Sequence, residues 1–387
     1  MIKAIALLTP IYVTLLWSLI IFIQKGSIAK PKAYIGLVMI FAFLLYCSHA
    51  IFFNNLYHLY SFIDSIYIIS MLSVYPLYYI YIRFVTTEGI SFKQQLIHFL
   101  PAAFLGILSI ALTLVLTKDE RIFYVRDTLI DKNLKELNLT TLVGIKGTVF
   151  LVSRLTMMVH VVFYVAAVIK RVNIHKKRII NYYSDTEGKT LNWVKDVSIA
   201  MWIIAVASIG FAIIGRSYFT KHEISLLIPS LIFSSLLFVL GYKGNQQIQI
   251  SNEIIEKSEE EVEFEEIKTK QEEELKRQLT RLFEQDKVYK LPDLRITTVT
   301  KSLKTNRTYI SKLINDQFDM NFNEFVNRYR IEEAKILLRN KDNNLYSMDY
   351  IAERSGFGSV NSFTRVFKEL EGITPGRFRE SKTEFLL

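Results

Sequence analysis

Five side chains in one short stretch, Asn306, Arg307, Thr308, Ser311 and Lys312, bring amide, guanidinium, hydroxyl and ammonium donors to one side of a helix. A second set, Ser359, Val360, Asn361, Thr364 and Arg365, repeats that mixture further along. Donors of these kinds on a helix face suit phosphate oxygens and base edges, with little to offer bond-breaking chemistry. The plainer alternative for Arg307 and Lys312 is an ordinary solvated charge. Elsewhere the residues that could do catalysis are scattered. His49, His58, His98, His160, His175 and His222 show no metal-ligand spacing, and there is no phosphate-binding glycine loop. The single Cys47 excludes a disulfide within the chain and a cysteine-based zinc site. No catalytic residue, metal or cofactor is expected.

A third set, Asp64, Arg154 and His160, lies inside apolar stretches, where charge is costly in lipid. An Asp64–Arg154 ion pair facing a ligand cavity is one reading. A structural polar contact between helices is the other.

The donor-rich faces need elements to hold them. Thr297 or Thr298 caps a short helix with Val299 and Leu303 inward; Lys304-Thr305-Asn306 makes a turn. A second helix then buries Tyr309, Ile310, Leu313 and Ile314, giving the short helix, tight turn, short helix outline. A longer helix over 322–339, with Phe325, Tyr329, Ala334, Leu337 and Leu338 as core positions, bridges to a repeat of the same outline. There Ser347 and Asp349 start a helix, Ile351 and Ala352 face inward, and Gly356-Phe357-Gly358 turns. The last helix over 359–370 buries Phe363, Val366 and Phe367. On the bridge, Arg328 and Arg330 read either as contacts or as surface ion pairs with Glu324 or Glu332.

The rest of the 387 residues has a different character. Hydrophobic residues make up 51 % of the chain and crowd its first part, whereas the dense charge clusters follow, so a domain boundary falls near Gly244. A membrane core needs roughly 20 apolar residues per helix. Seven segments meet that need, at 4–23, 33–53, 60–83, 96–117, 143–169, 193–215 and 224–242, and Pro76 should kink the third. The first reads as a retained helix, not a cleaved signal, for want of a convincing cleavage site. Lys25, Lys30, Lys32, Lys93 and the run Lys170, Arg171, Lys176, Lys177, Arg178 fall in odd-numbered loops, which places those loops inside. The N-terminus is then outside and the C-terminal part in the cytoplasm of a bacterium, anchored at its inner membrane.

Between the halves, residues 245–286 are acidic and without proline, a helical linker. Ile248, Ile255 and Val262 keep a heptad step that fails at Thr269 and Lys276, so a homodimer through the linker would rest on two repeats. The expected organisation is all-α: a seven-span transmembrane bundle over 1–244, the linker over 245–286 and a double helix-turn-helix domain over 287–387.

The C-terminal part resembles the DNA-binding domain of the AraC (arabinose-regulator) family across 275–380. The resemblance is carried by Asn321-Phe322-Asn323-Glu324-Phe325, Tyr329-Arg330-Ile331-Glu332-Glu333-Ala334-Lys335, Ile351-Ala352 with Ser355-Gly356-Phe357, Phe363-Thr364-Arg365-Val366-Phe367-Lys368 and Gly372-Ile373-Thr374-Pro375. It implies two recognition helices in successive major-groove faces, with Arg365 and its neighbours on DNA. Ser355 and Thr300 depart from the family, which favours small apolar residues there. The segments Tyr75-Pro76-Leu77-Tyr78-Tyr79 and His98-Phe99-Leu100-Pro101 look like those of the family's membrane-bound members. The expected function is a membrane-bound regulator that binds double-stranded promoter DNA, contacts RNA polymerase and answers an effector sensed by the spans. The alternative is a membrane transporter or enzyme with a regulatory DNA-binding appendage.

Overall fold

The computed structural model describes residues 2–24, 30–86, 91–130, 139–187, 189–214, 218–219, 223–246, 269–339 and 346–381, except for the side chains of 204–205, 207–214 and 269–270. The chain divides into two compact units, one of residues 1–173 with 191–252, the other of 174–190 with 253–387. The described residues form helices, with one isolated bridge and no strand.

The first unit is built of α1 (Ile2–Ile23), α2 (Lys30–Phe53), α3 (Tyr57–Thr86), α4 (Phe92–Ile97), α5 (Leu100–Val115), α6 (Lys118–Phe123), α7 (Leu142–Ile180), α8 (Asn192–Ile214) and α9 (Leu227–Gln246). Helix α3 is central, packing against α2 and α5, while α1 lies between α2 and α9. The pattern follows composition: 72 % of the most apolar window of α3 is buried, against 39 % for α1 and α2 and 28 % for the last apolar helix. Outer helices therefore turn large apolar side chains such as Phe104, Leu114 and Ile228 outward. Two buried clusters fill the inside, one around Ile35, Tyr78, Val168 and Leu240, the other around Phe52, Tyr60, Leu105 and Phe150.

Five described helices, Ile2–Ile23, Lys30–Phe53, Tyr57–Thr86, Leu142–Ile180 and Ile224–Gln246, are long and apolar enough to cross a membrane. The expected fourth span is broken. Ser91 makes a capping box that starts α4, and α5 restarts at Leu100 with Pro101 in its first turn, where the missing N–H costs nothing. What remains apolar and continuous is the 16-residue α5. For the expected sixth span, most side chains of α8 beyond residue 203 lie outside the described residues. Helix α3 continues through Pro76 without a break in its helical assignment.

Helix α7 corrects the fifth segment more sharply. It runs 39 residues to Ile180, so Lys170, Arg171, Lys176, Lys177 and Arg178 are helical and not in a loop. No glycine or proline follows Gly147 until Gly188, and Lys and Arg are good helix formers that suit a helix C-terminus. From residue 174 the chain belongs to the second unit.

That unit continues with α10 (Thr269–Glu284), α11 (Ile296–Ser302), α12 (Arg307–Phe318), α13 (Phe322–Arg339), α14 (Met348–Arg354), α15 (Val360–Glu371) and α16 (Pro375–Glu380). Helix α10 is amphipathic, and its Leu279 and Phe283 are wholly buried, the latter against Phe325 and Tyr329. It is thus a packed element of this unit, although its sequence was read as linker. The heptad positions Ile248, Ile255 and Val262 lie outside the described residues.

Candidate nucleic-acid interface

Helices α11 and α12 form the first helix-turn-helix, α14 and α15 the second, and α13 runs between them. Neither Thr297 nor Thr298 caps α11; the cap position is Arg295, with no side-chain hydrogen bond. The reason is Ile296, whose N–H donates to the Tyr182 carbonyl at 3.0 Å and so has a partner already. Helix α12 is capped by Asn306, whose side-chain oxygen accepts from the Tyr309 N–H at 3.0 Å. Ile310, Leu313 and Ile314 are buried, whereas Tyr309 is half-buried. In the second unit Ser347 caps α14, and Ser359 caps α15 by accepting from the Ser362 N–H at 3.1 Å. Between them Gly356 takes φ +92°, with its α-carbon so close to Tyr289 and Lys290 that an added Cβ would lie 2.4 Å from a backbone oxygen. Ile351, Phe357, Phe363 and Phe367 close the core beneath.

The ten residues expected at DNA fall on the second helix of each pair or at its cap. Thr308 and Lys312 are exposed on α12, and Ser311 is half-buried. Asn306 serves at least as a cap. Arg307 is half-buried over the Tyr182 ring, 5.5 Å from its centroid, and burial lowers its pKa, with Arg178 adding to that and Tyr182 opposing it. On α15, Asn361 and Arg365 are exposed, Thr364 is half-buried, and Val360 packs partly against the core below. Arg365 lies 4.0 Å from Glu369, a weak solvent-exposed pair that leaves the guanidinium accessible.

Arg330 overturns the expectation of a surface pair or contact. It is fully buried and donates to the carbonyls of Tyr289 at 2.8 Å, Leu291 at 2.7 Å and Pro292 at 3.3 Å, and to the Ser184 hydroxyl at 3.0 Å. Burial lowers its pKa to about 10, opposed by Asp185 and Asp293. A planar fork with five donors satisfies several carbonyls of an irregular loop at once in a fixed geometry. Arg328, two residues earlier and on the opposite side of the helix, stays exposed. Beside this loop Glu333 accepts from Lys290 at 2.6 Å, Tyr289 at 2.9 Å and Lys287 at 3.1 Å. The departures at Thr300 and Ser355 are also resolved. Both hydroxyls are buried and donate back to carbonyls of their own helices, Thr300 to Thr297 and Ser355 to Ile351.

The largest feature that sequence reasoning missed is the segment after α7. Ser184 donates its N–H to the Leu294 carbonyl, and Tyr183 pairs with Arg295 in an antiparallel bridge. Asn323 donates to the Ser184 carbonyl at 2.6 Å. Nothing in Asn181-Tyr182-Tyr183-Ser184-Asp185 marks such docking, since a polar stretch between two apolar helices reads as an ordinary loop.

In the first unit, Asp64 does pair, but with Lys146 and not Arg154. Both side chains are wholly buried with Nζ 3.1 Å from the carboxylate, and Nζ also donates to Thr113. Lys146 lies one turn from the start of α7 and Asp64 two turns from the start of α3, so matching their depths would have found the pair. Arg154 is half-exposed, 5.9 Å from the Phe150 ring centroid, and His160 sits 3.3 Å from the Leu72 carbonyl beside Tyr164. The three expected polar residues therefore do not converge on one site.

The family model described as a helix-turn-helix domain matches residues 299–381. The chain is 33 % identical over 90 residues to the uncharacterized HTH-type transcriptional regulator YtdP of Bacillus subtilis, covering 23 % of this chain and 11 % of that protein. It is 33 % identical over 92 residues to the regulatory protein PocR of Salmonella typhimurium, covering 24 % and 29 %. A solved structure, the C-terminal domain of AraT, a response regulator from Geobacillus stearothermophilus, matches at 25 % identity over 28 % of this chain and 84 % of that one, with a TM-score of 0.25. The chain thus spans under a third of the length of these curated relatives. What is shared is the C-terminal part: residues 299–381 match a helix-turn-helix domain and are similar to part of an HTH-type transcriptional regulator and of a regulatory protein.

Proposed function

We propose that the chain is a membrane-anchored transcription regulator that binds promoter DNA through α12 and α15. The observation that carries this reading is the doubled helix-turn-helix, in which each second helix is capped at its N-terminus and turns hydroxyl, amide and guanidinium donors to solvent. Helix N-termini attract phosphate, and the donors beyond them reach base edges. Thr308, Lys312, Asn361 and Arg365 are the residues best placed for contact, with Arg307 and Ser359 at the helix starts. The long apolar helices with outward-facing Phe, Leu and Ile support a bilayer anchor, and the basic end of α7 supports a cytoplasmic C-terminal unit. The spans would receive an effector, and the DNA-bound protein would act on RNA polymerase.

The test is selection of duplexes from a random pool by the purified full chain in detergent. A discrete consensus supports the reading, and Arg365→Ala should relax it at one or two base pairs, each worth about 1–3 kcal/mol. Uniform weakening with only a shallower salt dependence would reassign Arg365 to phosphate. Recovery of no consensus at all would overturn sequence-specific binding.

A further inference from the structure

The starts of both recognition helices are already touched by one short piece of the chain. Residues 181–187, directly after α7, place the Tyr182 ring against Arg307, the first residue of α12. Five residues on, the carboxylate of Glu187 accepts a 2.5 Å hydrogen bond from the hydroxyl of Ser359, the cap of α15. Asp185 accepts from the Ser362 hydroxyl at 3.4 Å and from the Glu187 N–H at 3.0 Å, so the two carboxylates are held together. Its other oxygen lies 3.1 Å from where a Cβ on Gly358 would be. Two carboxylates thus lie at the N-terminal end of a 12-residue helix, the end whose dipole and open N–H groups favour an anion.

The segment is not lightly held. Its Tyr182, Tyr183 and Ser184 are buried, and two backbone hydrogen bonds, which form the antiparallel bridge at Tyr183 and Arg295, tie it to residues 294–296. Arg330, with its guanidinium on Ser184, and Asn323, with its amide on the Ser184 carbonyl, extend that grip to α13. Residues 182–184 are therefore an anchor, and 185–187 are an acidic tip resting on α15, half-buried at Asp185 and Thr186 and exposed at Glu187. Lys189 reinforces the turn by donating to the Asp185 carbonyl at 2.9 Å.

From this we infer that the acidic tip Asp185–Glu187 is a phosphate surrogate that competes with DNA for the N-terminus of α15, so that the described conformation is a self-occupied one. The inference rests on the proposed DNA-binding function. The tip follows directly in sequence on α7, a helix long and apolar enough to cross a membrane, and itself lies in the second unit, so the competing carboxylates come from the connection between α7 and α8 and not from the acidic stretch after α9.

The experiment measures binding of a labelled 40-base-pair mixed-sequence duplex to the purified full chain in detergent across a salt series. Glu187→Gln should tighten binding several-fold. Asp185→Asn with Glu187→Gln should tighten it about tenfold and steepen the log–log salt slope by about one, as a freed phosphate site requires. Glu273→Gln with Glu284→Gln removes the same charge from α10 and should change affinity less than twofold. Saturating duplex should also raise hydrogen exchange at 185–187 in the wild-type chain. Equal affinity in the wild type and both tip variants, tightening matched by the α10 control, or unchanged exchange at the tip would each overturn the competition. Arg365→Ala separates the two ideas: if it fails to weaken binding in any background, the recognition-helix reading falls, whatever the tip variants do.

Discussion

Replacing Arg330 by methionine removes a charge from the interior while nearly preserving length, and the structure sets the cost. The guanidinium makes short hydrogen bonds to two carbonyls, of Tyr289 and Leu291, and a 3.0 Å bond to Ser184. Hydrogen bonds from a charged donor contribute about 1.5–3 kcal/mol each, but the variant also escapes the cost of keeping a cation in a dry site. Truncating one member of a buried polar set while its acceptors remain leaves a net loss of about 3–5 kcal/mol. Arg330→Met should therefore lower the stability of the C-terminal unit by about that amount, whereas Arg328→Met at the exposed neighbour should stay within about 0.5 kcal/mol. Pulse proteolysis of the full chain in a urea series, following the fragment that carries α13, reads both. Similar midpoints for the two variants would show that Arg330 is a surface charge and that the loop over 289–292 does not depend on it.

The same assay tests two further consequences in the C-terminal unit, and thermal unfolding tests a third in the first unit. Gly356→Ala forces a Cβ into a backbone oxygen at φ +92° and should cost about 3 kcal/mol, whereas Gly372→Ala, at φ +76° with nothing within 4 Å, should cost about 1–2 kcal/mol; equal losses would mean that conformation alone matters. Burial alone would raise the Glu333 carboxyl, but hydrogen bonds from Lys290, Lys287 and Tyr289 outweigh it and hold the pKa below the usual range. A depressed carboxyl stabilises above its unfolded pKa of about 4.3 and loses that contribution as pH falls through the folded value. Glu333→Gln should thus lower the midpoint at pH 7 and at pH 5.5, with the deficit shrinking below about pH 4; a deficit independent of pH would refute the assignment. In the first unit, Lys146→Met strands Asp64 and should cost about 3–5 kcal/mol, most of it recovered in Lys146→Met with Asp64→Leu. Thermal unfolding followed by tryptophan fluorescence would reveal additive losses if the buried pair is not coupled.

The C-terminal helices were legible because each local signal agreed with its neighbours. Asn306, Ser347 and Ser359 mark helix starts, Gly356 marks the turn, and Phe363, Val366 and Phe367 keep a helical step, so short-range chemistry placed α12, α14 and α15 to within a residue or two. The solvent-facing positions of α12 and α15 follow from the same pattern, because the face opposite the core is the exposed one. Arg330 was misread because an arginine on an amphipathic helix looks like a surface group unless an irregular loop supplies carbonyls, and that loop is distant in sequence. The cap of α11 failed for a related reason: its first N–H is taken by Tyr182, more than a hundred residues earlier. Segments 96–117 and 143–169 were drawn from hydropathy alone, which registers neither a proline restart at Leu100 nor a basic helix that continues past its apolar part. Ion-pair choice in the first unit depends on depth along the helices, where Lys146 lies level with Asp64 and the more central Arg154 does not.

Chromatin mapping with the full-length protein, cross-linked in intact cells and recovered from the membrane fraction, tests the central claim most directly. Discrete promoter peaks that disappear with Arg307→Ala and Arg365→Ala combined, while the protein stays in that fraction, are the predicted result. Full-length protein in the membrane with no peaks above that double variant would contradict it.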